Sequence, residues 1–318
     1  MRFFKYSQDT PEHTVRDELA NHTWQFDAAT VAKMLSPKTR KSPFDPHDID
    51  TLDDYDIPKI DADVLKQAAD SLKSTPKLPK LKTESRLYSP LCVFLNHCVQ
   101  VCRQALNLED GYYDDLNFIV WNHPMVDDIA GIKPLKPHLA GGKSLPKSEI
   151  IIKAAGLYWQ PPSSSDHQLL IPVELKNNWP DLVCQAGMDA YCLFNVSPLR
   201  QFALALGYNH IQQEFRFLIF HRGGLTSSLP LNPNSKTDRL DILRIFLAIL
   251  SWKTPAHAGF PTWCNDSEME LPANATGDES IRVQVKKVLS QNPCIRGRAS
   301  HVSLVSIPDA SQTKSPPD

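Results

Sequence analysis

Three charged residues of this sequence could form a site that cleaves phosphodiesters. The strand-like segment Leu169–Leu175 ends next to Lys176, and Glu174 and Lys176 project from one face because side chains alternate along a strand. Glu149 opens the preceding strand candidate, Glu149–Ala155, and a hairpin between the two strands would bring both carboxylates together. Two carboxylates can hold Mg²⁺ or Mn²⁺ while a lysine orients the attacking water. We therefore expect metal-dependent hydrolysis of a nucleic-acid phosphodiester, with the metal stabilising charge on the phosphate oxygens.

The elements around these strands predict an α/β fold with a mixed sheet flanked by helices. The predicted order is α-β-β-β-α-β-β: a helix over Glu84–Leu106, strands over Leu116–Trp121, Glu149–Ala155 and Leu169–Leu175, a helix over Pro180–Phe194, and strands over Gln201–Tyr208 and Glu214–His221. Pro90 is expected to kink the first helix or to mark a later start. Asn122–Lys147, with four prolines and two adjacent glycines, is predicted as a loop. Leu240–Leu250 predicts a further helix.

Three divisions of the chain are predicted from changes in composition. They are a helical and irregular N-terminal extension (1–83), a core with a helical continuation (84–264), and a C-terminal part of loop, the start of a further domain and a disordered tail (265–318). Proline and lysine alternate in Thr75–Lys80, which favours a linker. The helical continuation is expected to run to about residue 290, and the tail to occupy Ser311–Asp318.

The predicted order, with an acid opening the second strand and Glu-x-Lys on the third, resembles the PD-(D/E)XK, or restriction-endonuclease-like, nuclease fold. In that fold a glutamate on the first helix often joins the site, and Glu84 matches it. A glutamine on the second helix often follows, and Gln185 matches that. The chain departs from the family pattern where Glu149 replaces the usual aspartate. The resemblance implies a metal site of Glu84, Glu149 and Glu174, with Lys176 positioning water and Gln185 supporting the site.

A narrower resemblance connects several short motifs that occur in a matching order. They are Pro172–Lys176, Gln185–Tyr191, Pro198–Phe202, His221–Ser227, Gly259–Thr262 and Ile295–Val302. Together they are similar to the region upstream of the kinase in fungal-type protein kinases. This resemblance implies a nuclease-like N-terminal module whose full-length form includes a kinase domain as partner. The sequence up to Asp318 holds no ATP-positioning lysine, His-Arg-Asp or Asp-Phe-Gly motif, so the interpretation is a truncated kinase domain.

Two classes of function stay open at this level. One is a metal-dependent nuclease that acts on nucleic acid through Glu149, Glu174, Lys176 and Gln185. The other is a catalytically inactive regulatory or interaction module of a fungal-type protein kinase. A zinc site at Cys92, His97, Cys98 and Cys102 is disfavoured, because no second ligand pair of structural spacing follows and an apolar helix face explains the cysteines better.

Composition limits the location and the partners of the protein. The 318 residues are 42% hydrophobic and 22% charged, ordinary values for a chain that buries a core. Lysine and arginine (34) nearly balance aspartate and glutamate (36), which excludes a globally basic nucleic-acid binder but not a local basic groove. No apolar run approaches the length of a membrane span, so we expect no membrane partner. Seven cysteines without a Cys-x-x-Cys pair predict buried thiols in an intracellular protein of the cytoplasm or nucleus.

Overall fold

The computed structural model describes residues 11–36, 62–72, 77–107, 116–121, 136–143, 153–154, 168–196, 200–252, 255–259, 264–265, 268–271, 281–291, 295 and 301–306. Its helices are α1 (Pro11–Leu19), α2 (Ala28–Leu35), α3 (Ala62–Ser71), α4 (Tyr88–Leu106), α5 (Trp179–Val196) and α6 (Lys236–Leu250), with 3₁₀ turns at Glu84–Leu87 and Pro255–Ala258. Its strands are β1 (Thr23–Phe26), β2 (Asn117–Val120), β3 (Leu139–Lys143), β4 (Lys153–Ala154), β5 (Gln168–Lys176), β6 (Phe202–Asn209), β7 (Glu214–His221), β8 (Gly224–Ser228), β9 (Cys264–Asn265), β10 (Glu268–Leu271), β11 (Ile281–Gln291) and β12 (His301–Ser306).

Eight strands form a mixed sheet in the order β1-β8-β7-β6-β5-β3-β2, with β4 pairing beside β5 off this path. The pairs β1–β8, β4–β5 and β5–β6 are parallel, and the other pairs are antiparallel. The prediction of a mixed α/β sheet flanked by helices is confirmed. The finer restriction-endonuclease-like order stays a prediction.

Helices cover both faces of this sheet, because its central strands are apolar on both faces. Every residue of β6 is buried, as expected for a strand between two layers of helices. One face packs against α2, α3, α4 and α6, where Phe217 contacts Phe246 edge to face. The other face packs against α1 and α5. None of the helices in the described part of the chain is both long and apolar enough to cross a membrane.

The strand beside β5 differs from the sequence prediction. The antiparallel neighbour of β5 is β3, which lies inside the predicted loop Asn122–Lys147. The strand predicted over Glu149–Ala155 is described only at β4, and β4 runs parallel to β5, so the predicted hairpin is wrong. The adjacent glycines of β3 explain why its sequence predicts a loop. A Cβ on Gly141 would lie 2.5 Å from the Phe118 ring of β2, so the glycine gives that ring room to pack.

The C-terminal part also differs from the prediction. Strands β9 to β12 form a four-stranded antiparallel sheet in the order β12-β11-β10-β9. The predicted helical continuation is therefore confirmed at α6, but it is wrong at Ile281–Gln291, which forms the strand β11. Apolar and polar residues alternate at the start of β11, and this two-residue period is typical of a strand. The predicted tail, Ser311–Asp318, lies outside the described residues.

The N-terminal segments pack onto the main sheet. β1 pairs with β8 from Thr23–Leu225 to Phe26–Ser228. In the segment predicted as a linker, Leu78 is buried and exchanges two hydrogen bonds with Asn234: its N–H donates to Oδ1 (2.8 Å) and its carbonyl accepts from Nδ2 (3.0 Å). This part of the extension is thus held against the core.

Candidate functional site

A cluster of charged side chains lies where the carboxyl end of β5 meets the start of α4, the start of β3 and the middle of α5. Its members are Glu84, Tyr88, His138, Glu174, Lys176 and Asp189. The 3₁₀ turn before α4 supplies Glu84. Pro90 explains this arrangement, because proline is tolerated in the first turn of α4 but not farther inside, so the α-helix begins at Tyr88.

His138 lies between two carboxylates. Its Nε2 is 2.9 Å from Glu84 Oε1, and its Nδ1 is 2.7 Å from Glu174 Oε2. The ring reaches Glu174 because His138 stands one residue beyond the Leu139–Val173 pair of the β3–β5 ladder. The two nitrogens lie on different edges of the ring, so the carboxylates flank the imidazole from different sides. This arrangement links three distant segments through a single side chain.

His138 is a cation at neutral pH. Burial by itself lowers the pKa of His138, but its hydrogen bonds and charge interactions with Glu174 and Glu84 outweigh burial and raise the pKa to about 9. In the imidazolium form both ring nitrogens are donors. The protonated Nδ1 therefore cannot accept a hydrogen bond from the N–H of Leu175, which lies 3.2 Å away. It donates instead to Glu174 over 2.7 Å.

Glu84 forms the accessible end of the cluster. The Tyr88 hydroxyl donates to Glu84 Oε1 over 2.9 Å, and Lys176 Nζ is 3.9 Å from the same oxygen. Burial opposes ionisation of Glu84, but His138, Lys176 and Tyr88 together outweigh it and lower the pKa of this carboxyl. The side chains of Glu84 and Lys176 are 29% and 28% exposed, so these two residues form the part of the cluster that solvent reaches.

Glu174 and Asp189 form the buried end. Glu174 is 0% exposed and Asp189 is 1% exposed. Burial, together with the adjacent charge and hydrogen bond of Glu174, raises the pKa of Asp189 well above its usual range. The protein therefore favours the protonated form of Asp189. The rest of the cluster pairs the acidic side chains of Glu84 and Glu174 with the basic side chains of His138 and Lys176.

The structure brings together three of the predicted site residues. Glu84, Glu174 and Lys176 belong to one cluster, connected through His138. Gln185 lies on α5 one turn before Asp189 and, within the described residues, makes no hydrogen bond to this cluster. Glu149 lies outside the described residues.

Sequence reasoning missed His138 and Asp189. His138 falls in the segment that was interpreted as a loop, so nothing pointed to its place beside Glu174. Asp189 did leave a signal, because it stands between Ala186 and Ala190 on an apolar helix, where an acid needs a partner. Cys98 and Cys102, two of the residues weighed for a zinc site, are fully buried in the apolar core.

A divalent metal does not fit between Glu84 and Glu174 in this arrangement. The imidazolium of His138 occupies the space between them, and each carboxylate contacts a different ring nitrogen. In the part of the chain that the structure describes, no three carboxylate, imidazole or thiol groups are placed to hold a metal ion. The predicted set of Glu84, Glu149 and Glu174 stays a prediction because it needs Glu149.

Comparison with known proteins does not add to this picture. No protein-family model matches the chain, and no curated protein matches it.

Proposed function

We propose that this protein is a catalytically inactive interaction or regulatory module with a nuclease-like fold, of the kind that precedes the kinase domain in fungal-type protein kinases. The observation that carries the proposal is the position of His138, ion-paired at 2.9 Å with Glu84 and at 2.7 Å with Glu174. Glu84 and Glu174, the members of the predicted metal set that the structure describes, are thereby paired with a side chain of the protein itself.

The arrangement of elements supports a nuclease-like fold. Between α4 and β6 the chain runs through β2, β3, β4, β5 and α5, and β5 carries the Glu-x-Lys pair. Glu84, ahead of α4, reaches the same cluster as Glu174 and Lys176 although about 90 residues separate them in sequence. A charged strand end with no role in a site would not require this meeting of three segments.

Burial and charge balance support the loss of catalysis. Glu174 has no exposed surface, so neither a phosphate group nor a hydrated metal reaches it without rearrangement. Lys176 Nζ lies 3.9 Å from the carboxylate of Glu84, and within the described residues the ammonium group is thus already paired. A cluster whose acidic and basic groups pair with one another offers little net charge to a transition state.

A cleavage assay tests this proposal. Purified protein is incubated with plasmid and with single-stranded DNA, with and without Mn²⁺, alongside Lys176→Ala and the matched control Lys236→Ala on the exposed start of α6. We expect no cleavage by any of the three. Cleavage that Lys176→Ala abolishes and Lys236→Ala retains would overturn the proposal. A mobility shift without cleavage would identify nucleic acid as the partner of the module, in place of a kinase domain.

A metal-dependent nuclease is the second candidate, and the meeting of Glu84, Glu174 and Lys176 favours it. This function requires His138 to release the carboxylates. Deprotonation removes the charge of the imidazole, and the pKa of about 9 sets where this occurs. An active nuclease of this type would gain Mn²⁺-dependent cleavage between pH 7 and pH 9.5, whereas the inactive module stays inactive at both values.

A further inference from the structure

A cleft of about 400 Å³ lies away from the charged cluster, on the α1–α5 side of the main sheet. Residues of α1, β1, α5, β7 and β8 line it, and no member of the charged cluster is among them. Its volume falls within the range of pockets that enclose small organic molecules. The cleft is therefore a separate feature from the site described above.

One wall of the cleft holds a guanidinium that has no close counterion among the described residues. Arg216 is 14% exposed, and its guanidinium lies 4.1 Å from the centre of the Trp179 ring. A carboxylate oxygen of Glu214 is 4.0 Å away, and that oxygen already accepts a hydrogen bond from Trp179 Nε1 at 3.0 Å. Among the described residues, the buried Nε of Arg216 has no hydrogen-bond partner.

This state is costly for the free protein. Burial lowers the pKa of Arg216, and the charge of Glu214 only partly opposes this effect. A buried donor without an acceptor loses the hydrogen bond that water would have provided. A guanidinium binds a carboxylate or phosphate through charge-assisted hydrogen bonds. An anion in the cleft would give Arg216 the close counterion that the described residues do not supply.

The rest of the lining defines the other parts of such a ligand. Leu19, Val183 and Leu225 present apolar surface, and Gln25 and Ser227 add hydrogen-bonding groups. A second guanidinium, that of Arg16 on α1, also lines the cleft, and its 3.0 Å pair with Asp181 is exposed to solvent. The combination of apolar walls with a buried cation suits an apolar body that carries one anionic group.

We propose that this cleft binds a small organic anion, with an apolar body against α1 and α5 and a carboxylate or phosphate group on the guanidinium of Arg216. Arg16 adds positive charge at the solvent side. The proposal is independent of the proposed function, because it uses no residue of the His138 cluster.

Calorimetric titration with four probes tests the proposal: phenyl phosphate, benzoate, inorganic phosphate and the neutral benzyl alcohol. We expect phenyl phosphate or benzoate to bind, and the stronger of the two identifies the anionic group. Benzyl alcohol and inorganic phosphate are expected to bind at least tenfold more weakly, since each lacks one half of the recognised chemistry. Equal binding by benzyl alcohol, or no binding by either organic anion at millimolar concentration, overturns the proposal.

Variants link the binding to the cleft. Arg216→Gln is expected to weaken binding of the preferred anion at least tenfold. Arg244→Gln, which changes a half-buried arginine paired with Asp241 on α6, is expected to leave it unchanged. A second variant, Ala20→Trp, fills the cleft from an exposed position and is expected to block binding without lowering the melting temperature of the free protein. Unchanged affinity in both cleft variants refutes the assignment.

Discussion

His138 and Glu174 contact each other across neighbouring strands, with 2.7 Å between the imidazole Nδ1 and the carboxylate Oε2. Glu174 is fully buried, and a buried carboxylate stays ionised only when a partner compensates its lost hydration. His138 supplies that compensation and also extends the β3–β5 ladder by one side-chain contact. The same pair occupies the space that a metal would need, so one contact bears on stability and on function together.

Removal of the imidazolium should destabilise the fold. His138→Gln leaves the buried Glu174 without its cation, and breaking a buried ion pair from one side costs about 3 kcal/mol or more in free energy of unfolding at pH 7. Urea denaturation measures this loss. Arg244→Gln, which breaks the partly exposed Arg244–Asp241 pair, is the control and should cost less than about 1 kcal/mol. Equal stability of His138→Gln and the native protein would contradict the role of the pair.

The free energy of unfolding should fall as the pH rises from about 6.5 to 9. The pKa of His138 is about 9 in the folded chain and about 6.5 when unfolded, so the folded state binds the proton more tightly. The resulting contribution to the free energy of unfolding is complete at a pH below the unfolded-state pKa. It is lost as the pH rises through the folded-state pKa. Denaturation midpoints across this range measure the loss, and the His138→Gln variant should lack this His138-dependent part of it.

Asp189 gives a second pH dependence that a neutral variant separates from the first. The pKa of Asp189 is raised in the folded protein. Its contribution to the free energy of unfolding is therefore complete below the usual pKa of about 4 and is lost as the pH rises. Asp189→Asn keeps a donor for Glu174 and cannot ionise. We expect this variant to match or exceed the native free energy of unfolding at pH 7–8, whereas Asp189→Ala lowers it by about 1–3 kcal/mol. A loss in Asp189→Asn as large as in Asp189→Ala would contradict the role of a neutral donor beside Glu174.

Much of the main sheet could be predicted because its strands are apolar runs bounded by polar turns. The segments that became β5, β6 and β7 have this character, and α4 and α6 show helical periodicity. β3 could not be predicted in the same way. Its Gly141 and Gly142 resemble a turn in isolation, and only the contact of Gly141 with the Phe118 ring explains why small residues form a strand there.

The site was predictable only where its residues stand on well-defined elements. Glu174 and Lys176 follow from strand alternation on β5, and Glu84 was identified through the family resemblance. His138 depends on the β3–β5 pairing, which is a long-range contact that no local pattern encodes. Asp189 depends on the proximity of α5 to Glu174, and its helical position by itself does not reveal which strand residue it meets.

The packing of α1 on α5 offers a last test, in which two effects of one methyl group oppose each other. Alanine favours a helix over glycine by about 1 kcal/mol, so Gly187→Ala would stabilise an isolated α5. In the folded protein the added Cβ would lie 2.6 Å from Val15 Cγ1 of α1, and overpacking of this kind costs about 1–3 kcal/mol. We expect the steric cost to exceed the gain in helix propensity, which lowers the melting temperature.

A double-mutant cycle isolates this steric contact. Val15→Ala removes the opposing methyl group, so the double variant should lose less free energy of unfolding than the sum of the two single losses, by about 1 kcal/mol. Strict additivity would mean that α1 moves away from α5 without cost.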